Sequence, residues 1–411
     1  MAGPARVRAA PLAPHAGAAK VCGDGACRAP AGVLMPPKIV VSGYYGFKNS
    51  GDEAMLYAII GALRARIPGV EIVVLSHRPR ETAAEFGVRA IPRWSPLHLW
   101  RELGTADLLL SGGGSLLQDI TGPFSILYYL GVIYLAQVRG KKVCLYGQGV
   151  GPLRLFHSRW LTRRIVSRVD LVTLRDPASR EELERLGVTA PMYVTADPVL
   201  GLSPTAAEVS RGRELLAAVG AGRRRVLGIS LRPWTEAPRL VQVVAALGDE
   251  LSRTGWDVVF VPMQEQKDLP IIRRVAARMR EKGFVLTGIR GFQDLMAVAA
   301  CCEVVLGMRL HFLVFAALAG VPVIGLGYDP KVHRFLQQVG MGPAEDLAAV
   351  TAARLEARVR ELAARGETLR TALRARVDAL HRQAEANAAL VAALLQEIPL
   401  SDRDKGPDGE F

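Results

Sequence analysis

The chain has 411 residues, half of them apolar, with a mean hydropathy of +0.19 and a formal net charge of +13, enough length for two domains that each bury a core of their own. The nearly uncharged apolar stretch Ser125 to Val138 is shorter than the roughly 20 residues that cross a bilayer, so no spanning helix is read there. Only 9 of the 52 basic residues are Lys, so Arg carries the positive charge and favours anionic partners; with no zinc-finger spacing and no basic strand studded with aromatic residues, a phosphorylated small molecule or a membrane surface fits better than nucleic acid.

Residues 1–34 are rich in Ala, Pro, Gly and Arg without an apolar period and are expected to be disordered. They lack the continuous apolar centre of a secretory signal, and Met35, directly before PPKIVVSG, is the expected true start. Cys22 and Cys27 fall in this leader. Cys144, Cys301 and Cys302 sit in apolar runs typical of buried, reduced thiols, which points to the cytoplasm.

From Lys38 onward, short Val/Ile/Leu runs alternate with helical patterns, as in a parallel sheet buried on both faces. Residues 35–205 read as a first Rossmann-like domain, with strands near 38–43, 70–76, 106–110, 142–147, 170–174 and 192–195. Its helices begin near Gly51, Arg80, Pro96, Pro123, Ser158 and Pro177. A polar stretch with Pro204 closes it. Residues 206–347 repeat the rhythm, with strands near 225–230, 256–261, 283–286, 302–306 and 321–326. The fold class is therefore α/β, two doubly wound domains. Residues 348–399 turn wholly helical, either packing back across the junction or forming a solvated amphipathic pair, and the polar tail 400–411 is expected to be disordered.

Doubly wound domains bind ligands outside the carboxyl ends of their strands, so the residues that follow each strand carry the chemistry. The first exit, GYYGFKNSGDEAM from Gly43, presents Asn49, Asp52 and Glu53 at a helix start. The two carboxylates could meet a ligand or complement the helix dipole. It is not a Walker loop, because the Lys-Ser/Thr pair is absent. The exit SGGGSLLQD, Ser111 to Asp119, contains Gly113 and Gly114, which let backbone approach a substrate closely. In YGQGVGPLR, Arg154 could grip an anion or simply lead a surface helix.

The second half places Arg232 after the strand ending GISLRPW, and Arg309 and His311 in GMRLHF. Guanidinium groups bind phosphate and carboxylate through paired, charge-assisted hydrogen bonds. His311 would stand at the start of an apolar helix, a position that tends to keep an imidazole neutral, or it is a core histidine satisfied by a carbonyl. The last exit, GLGYDPKVHRF, carries Lys331 into a helix start, where a cation opposes the dipole.

The blocks GYYGFKNSGDEA, SGGGSLLQD, YGQGVGPL, TLRD, SLRPW, GMRLHF and GYDPKV, in this order over about residues 36–345, resemble the polysaccharide pyruvyl transferases, and among them the CsaB type. The resemblance implies a two-domain fold like that of B-type (GT-B) glycosyltransferases. It implies phosphoenolpyruvate as donor, no resident cofactor and no required metal. It further implies a lipid-linked acceptor containing N-acetylmannosamine, whose 4,6-pyruvyl ketal anchors S-layer proteins. Arg232, Arg309, His311 and Lys331 match the family's donor-site blocks and Arg154 matches less closely, while Asn49, Asp52, Glu53, Gly113 and Gly114 fall to the acceptor.

In the mechanism this suggests, Arg232 and Arg309 hold the phosphate and carboxylate, His311 is the general acid or base, Lys331 stabilises the departing phosphate, and Asp52 or Glu53 handles the sugar hydroxyl. Activity is expected to survive a chelator. The Arg-rich segment Arg154 to Arg168 either docks on an anionic membrane at the inner face or packs as an amphipathic helix. Two rivals share the cleft: a nucleotide-sugar glycosyltransferase, which would bind a nucleotide sugar, and a non-catalytic saccharide-binding assembly factor, against which the basic cluster argues.

Overall fold

The computed structural model describes residues 36–120, 123–234 and 239–397. The leader 1–34, the start at Met35 and the tail 400–411 lie outside the described residues. The first sheet has seven parallel strands, β1 (Lys38–Ser42), β2 (Glu71–Ser76), β3 (Arg89–Pro92), β4 (Leu108–Leu117), β5 (Lys142–Val150), β6 (Leu171–Leu174) and β7 (Met192–Val194). Between them run α1 (Ser50–Arg66), α2 (Pro79–Phe86), α3 (Pro96–Thr105), α4 (Pro123–Val138), α5 (Phe156–Val166) and α6 (Pro177–Arg185), followed by a short 3-10 turn at Pro198–Gly201. The second sheet has six parallel strands, β8 (Arg225–Ser230), β9 (Trp256–Phe260), β10 (Phe284–Val285), β11 (Val304–Gly307), β12 (Val323–Gly327) and β13 (Glu345–Asp346). Its helices are α7 (Ala206–Ala218), α8 (Leu240–Arg253), α9 (Glu265–Arg278), α10 (Phe292–Ala300), α11 (Leu310–Leu318) and α12 (Pro330–Gln338), after which come α13 (Ala352–Ala364) and α14 (Gly366–Leu395).

The strand orders are β3-β2-β1-β4-β5-β6-β7 and β10-β9-β8-β11-β12-β13. Each reverses direction once, between β1 and β4 and between β8 and β11. Those reversals open the crevices in which doubly wound sheets seat ligands. The doubly wound α/β reading therefore holds. Sequence reasoning missed β3 and β13. β3 is four residues at a sheet edge ending in Pro92, and β13 is two residues, too short for an apolar run to stand out.

Burial follows the sequence pattern. In β1, Ile39, Val40 and Val41 are fully buried, because helices cover both faces of the sheet. Val40, Val73 and Leu75 pack on one face with residues of α3, α4, α5 and α6. The opposite face joins α1, the second sheet and α14 in one continuous core. Of the described cysteines, Cys144 and Cys302 are buried and free as expected, whereas Cys301, whose thiol donates to the carbonyl of Val209 in α7, is free but only half-buried.

The C-terminal helix α14 crosses from the second sheet to the first. Leu369, Leu373, Val377, Leu380, Ala384, Ala388 and Val391 recur at helical spacing and are buried. Near its start Arg370 pairs with Glu303, 3.2 Å away, ahead of β11. Near its end the fully buried Asn387 donates to the carbonyl of Ala196 (3.1 Å) and accepts from Thr195 Oγ1 (2.8 Å) and from Thr173 Oγ1. The buried polar side chain thus fixes the register of α14 on the first sheet.

Candidate active site

The loop after β1 is folded by its own side chains. Tyr45 is buried and donates to the carbonyl of Gly112 on β4 (3.1 Å). Glu53 turns back into the loop and accepts from the backbone N–H of Gly46 (2.9 Å). Burial pushes its carboxyl up to about 8, against the opposing pull of the Gly46 and Lys48 N–H groups. One residue earlier, Asp52 faces the cleft and accepts from the side-chain amide of Asn49. Burial, reinforced by the nearby Asp197, raises its carboxyl to about 6, while His311, Lys331 and Arg309 pull it back. A carboxyl near 6 exchanges protons readily at neutral pH.

The second half of the chain meets this loop through the start of α11. His311 lies in the first turn, and its Nδ1 packs against Gly51: a Cβ at position 51 would stand 2.1 Å from it. The other ring nitrogen, Nε2, is buried, lies 3.7 Å from Asp197 Oδ2 and has no hydrogen-bond partner among the described residues. Asp197 follows β7. Burial alone would raise its carboxyl, but His311, Arg175 and the N–H of Val199 outweigh burial and hold it at about 2. It is a standing carboxylate beside the imidazole, the arrangement that orients a proton-transferring histidine.

Arg175, at the exit of β6, donates to Asp197 Oδ2 (3.1 Å) and to Ser115 Oγ (2.9 Å). Its guanidinium fills the space a side chain at Gly149 would need, with Nε 2.6 Å from the position of a Cβ there. Arg309, the N-cap residue of α11, grips Asp268 through Nε (3.1 Å) and its second terminal nitrogen. Asp268 is fully buried and also accepts from the N–H groups of Met263 (3.1 Å) and Gln264 (2.9 Å). One edge of the Arg309 fork is therefore spent on orientation, leaving Nη1 as the end with no partner among the described residues.

Lys331 starts α12, where Asp329 caps the helix and also lies 3.2 Å from Lys331 Nζ. Arg232 stacks over Tyr328 at 4.8 Å, and Lys331 Nζ lies 5.7 Å from the same ring. The Nε of Arg232 is buried with no partner among the described residues, an unsatisfied donor of the kind an anion would complete. Three contacts close the halves around this group: Arg334 to Asp176 (3.3 Å), Gln338 to the carbonyl of Arg175 (3.0 Å), and the N–H of Ser50 to the carbonyl of Met263 (3.4 Å).

Asn49, Asp52, Arg309, His311 and Lys331 thus come together, with Arg232 beside them across Tyr328. Glu53 is occupied by its own loop. Gly113 has φ +55° and its missing Cβ makes room for Met55 of α1, so it serves packing. Gly114, φ +75°, faces the Asp52 carboxylate. Arg154 has no contact with the group: its backbone N–H caps onto Asp119 and its side chain is exposed. Arg175 and Asp197 were missed, although TLRD and TADP follow strands like the other candidates. Asp268 lies inside α9, and nothing in its local sequence marks it. Among the described residues no group of three or more His, Cys, Asp or Glu side chains is placed to hold a metal ion.

Residues 49–330 match the sequence model of the family described as polysaccharide pyruvyl transferase, and the chain belongs to that family. It is 20% identical to the amylovoran biosynthesis protein AmsJ of Erwinia amylovora over 362 residues, covering 74% of this chain and 86% of AmsJ. Among solved structures it resembles Anabaena HepE in complex with UDP, with a TM-score of 0.61 at 12% identity, covering 88% of this chain and all of HepE. A glycosyltransferase from Rickettsia africae gives the same score at 10% identity, covering 88% of this chain and 99% of its own. At such identities the likeness shows the fold, a GT-B arrangement of two Rossmann-like sheets.

Proposed function

We propose that the chain transfers the pyruvyl group of phosphoenolpyruvate to two hydroxyls of a cell-wall saccharide, forming a cyclic ketal and releasing phosphate. The observation that carries this reading is the convergence of Arg232, Lys331 and the free end of Arg309 beside the Asp52–His311–Asp197 group. Phosphoenolpyruvate presents a phosphate and a carboxylate, which three cations match. Ketal formation needs one proton delivered to the methylene carbon and two removed from sugar hydroxyls, which a carboxyl near 6 and an imidazole can handle.

In the reaction, a proton adds to C3 of the enol to make a methyl group, and one sugar hydroxyl bonds to C2 and gives up its proton. Phosphate then leaves with the C2–O electron pair, and the second hydroxyl closes the ring and loses its proton. His311, steadied by Asp197, and Asp52, steadied by Asn49, are the two proton-transfer groups; Arg232 and Lys331 take the phosphate and Arg309 the carboxylate. The acceptor is a lipid-linked saccharide containing N-acetylmannosamine, as in the CsaB type, with an S-layer anchoring role and a place at the inner face of the cell membrane. Seven family blocks support this finer assignment.

The test is phosphate release from phosphoenolpyruvate by the purified chain with a nitrophenyl-tagged N-acetylmannosaminyl disaccharide, followed by mass analysis of the sugar. Release that depends on the acceptor, with a gain of one ketal-linked pyruvyl unit, is expected. Absence of release together with binding of a nucleotide sugar would replace this reading by the glycosyltransferase one.

A further inference from the structure

We propose that the uncovered sides of α3, α4 and α5 form a docking surface for an anionic lipid bilayer, a surface that begins at the edge of the first sheet where the candidate active site lies. Helix α4 carries no charged residue along its length. Ile126, Leu130, Ile133 and Ala136 are buried against the sheet, yet Phe124 is 80% exposed, and Tyr134 and Val138 are exposed as well. A helix apolar on its buried and its uncovered side is made to meet a second apolar phase. Among the described residues no helix is long and apolar enough to cross a membrane, so the fitting arrangement is one that lies on the surface.

The neighbouring helices extend the patch. Trp94 ahead of α3 is 64% exposed, with Leu97 and Trp100 exposed beside it, and at α5 Phe156 is 83% exposed, flanked by exposed Leu155 and Trp160. The inner side of α5 buries Ser158, Thr162, Ile165 and Val166, so its aromatic residues are not the ones that hold it to the sheet. In a parallel sheet every helix after a strand begins at the carboxyl edge, the edge where ligands bind. Trp94, Phe124 and Phe156, each at such a helix start, therefore stand on the side of the cleft. Arg93 ties them to it: its guanidinium lies 4.2 Å from the Tyr128 ring and 5.1 Å from Trp94 while donating to the carbonyl of Gly43 at the exit of β1 (3.1 Å).

Charge selects the occupant. From Gly151 to Val169 there is no Asp or Glu, while Arg154, Arg159, Arg163, Arg164 and Arg168 are all exposed. Arg164 lies 5.8 Å from the Trp160 ring and Arg139 lies 4.4 Å from Trp100. Aromatic rings at headgroup depth with guanidinium groups among lipid phosphates is the pattern of an interfacial protein. A second copy of this chain would bring an equal fringe of guanidinium groups against the first, so self-association is disfavoured by the charge that favours an acidic bilayer. The docking itself stands on the exposed residues alone; only its purpose, holding the cleft over a lipid-linked acceptor, rests on the proposed function.

The experiment is flotation of the full chain with phosphatidylglycerol vesicles and with phosphatidylcholine vesicles, at low and high salt, with tryptophan emission recorded. Binding to the acidic vesicles should be stronger by about ten-fold or more, weaken with salt, and shift the emission to the blue. A triple variant, Phe124→Ser with Phe156→Ser and Trp160→Ser, and a charge variant, Arg159→Glu with Arg163→Glu, should each lose that binding by about ten-fold while keeping the wild-type melting temperature. The proposal is overturned by wild-type protein that ignores acidic vesicles, by variants that still bind them, or by sedimentation showing a dimer that the triple variant splits. Vesicle binding without pyruvyl transfer would sink the proposed function and leave the docking surface standing.

Discussion

The imidazole of His311 rests on the backbone of Gly51, so that two residues 260 positions apart in the chain share one contact at the closure of the cleft. A methyl group at position 51 would meet Nδ1 at 2.1 Å and the His311 Cβ at 3.0 Å, so rotation of the ring alone cannot relieve it. Gly51→Ala should therefore displace α11 from α1 and lower turnover by about 100-fold, as misplacement of a reacting group by an ångström does. Phosphate release measured beside the melting temperature separates this from unfolding. Wild-type turnover in Gly51→Ala would show that the contact does not hold the working geometry.

Asp52 and Asp197 should move stability with pH in opposite directions. The folded-state value of Asp52, about 6, lies above the 3.8 of an ordinary aspartate. Between those values the native state keeps a proton that the unfolded chain has lost. Stability falls as pH rises through that window, and the full cost, about 3 kcal/mol, applies above it. Asp197, held at about 2, contributes about 2 kcal/mol that is present above pH 4 and lost as pH falls through 2. Thermal melts at pH 7 should find Asp52→Asn more stable than wild type and Asp197→Asn less stable. The same sign for both would refute the assignment.

Activity should separate the two adjacent carboxyls of α1. With its carboxyl at about 8, Glu53 is protonated at neutral pH and holds Gly46 through a single oxygen, so Glu53→Gln should retain most of the turnover. Asp52→Asn should lose about 100-fold or more and abolish the rise of kcat/KM through about pH 6. A Glu53→Gln enzyme as inactive as Asp52→Asn would place the proton transfer on the wrong residue.

Asp268 is fully buried and holds Arg309 from two sides. Asp268→Ala leaves a guanidinium without its partner and two N–H groups without an acceptor, a loss of about 3–5 kcal/mol by chemical denaturation. Its activity deficit should exceed its unfolding, because the free end of Arg309 also loses its aim. A loss below about 1 kcal/mol would mean that water replaces the carboxylate.

Arg232 is stacked on Tyr328 with an unpartnered Nε. Arg232→Lys keeps the charge but neither the flat face nor the fork, and should raise KM for phosphoenolpyruvate by about ten-fold or more with little change in stability. An unchanged KM would remove Arg232 from the donor site.

The amino-acid sequence by itself determined the alternation of parallel strands and helices, the doubly wound class, and the rule that chemistry follows strand ends. Each is a local property: an apolar run of five residues, a Pro at a helix start, a glycine after a strand. That rule led to Asn49, Asp52, Arg232, Arg309, His311 and Lys331, and TLRD and TADP would have yielded Arg175 and Asp197 by the same reasoning. Tertiary structure alone decided the pairings. It turned Asp52 to the cleft and Glu53 away from it, engaged Arg309 with an aspartate inside α9, left Arg154 on the surface, and exposed one apolar side of the uncharged helix α4. These outcomes depend on sheet order and on how the two sheets close, which bring together residues separated by dozens to hundreds of positions. Local pattern says whether a side chain is buried, and only the assembled fold says against what.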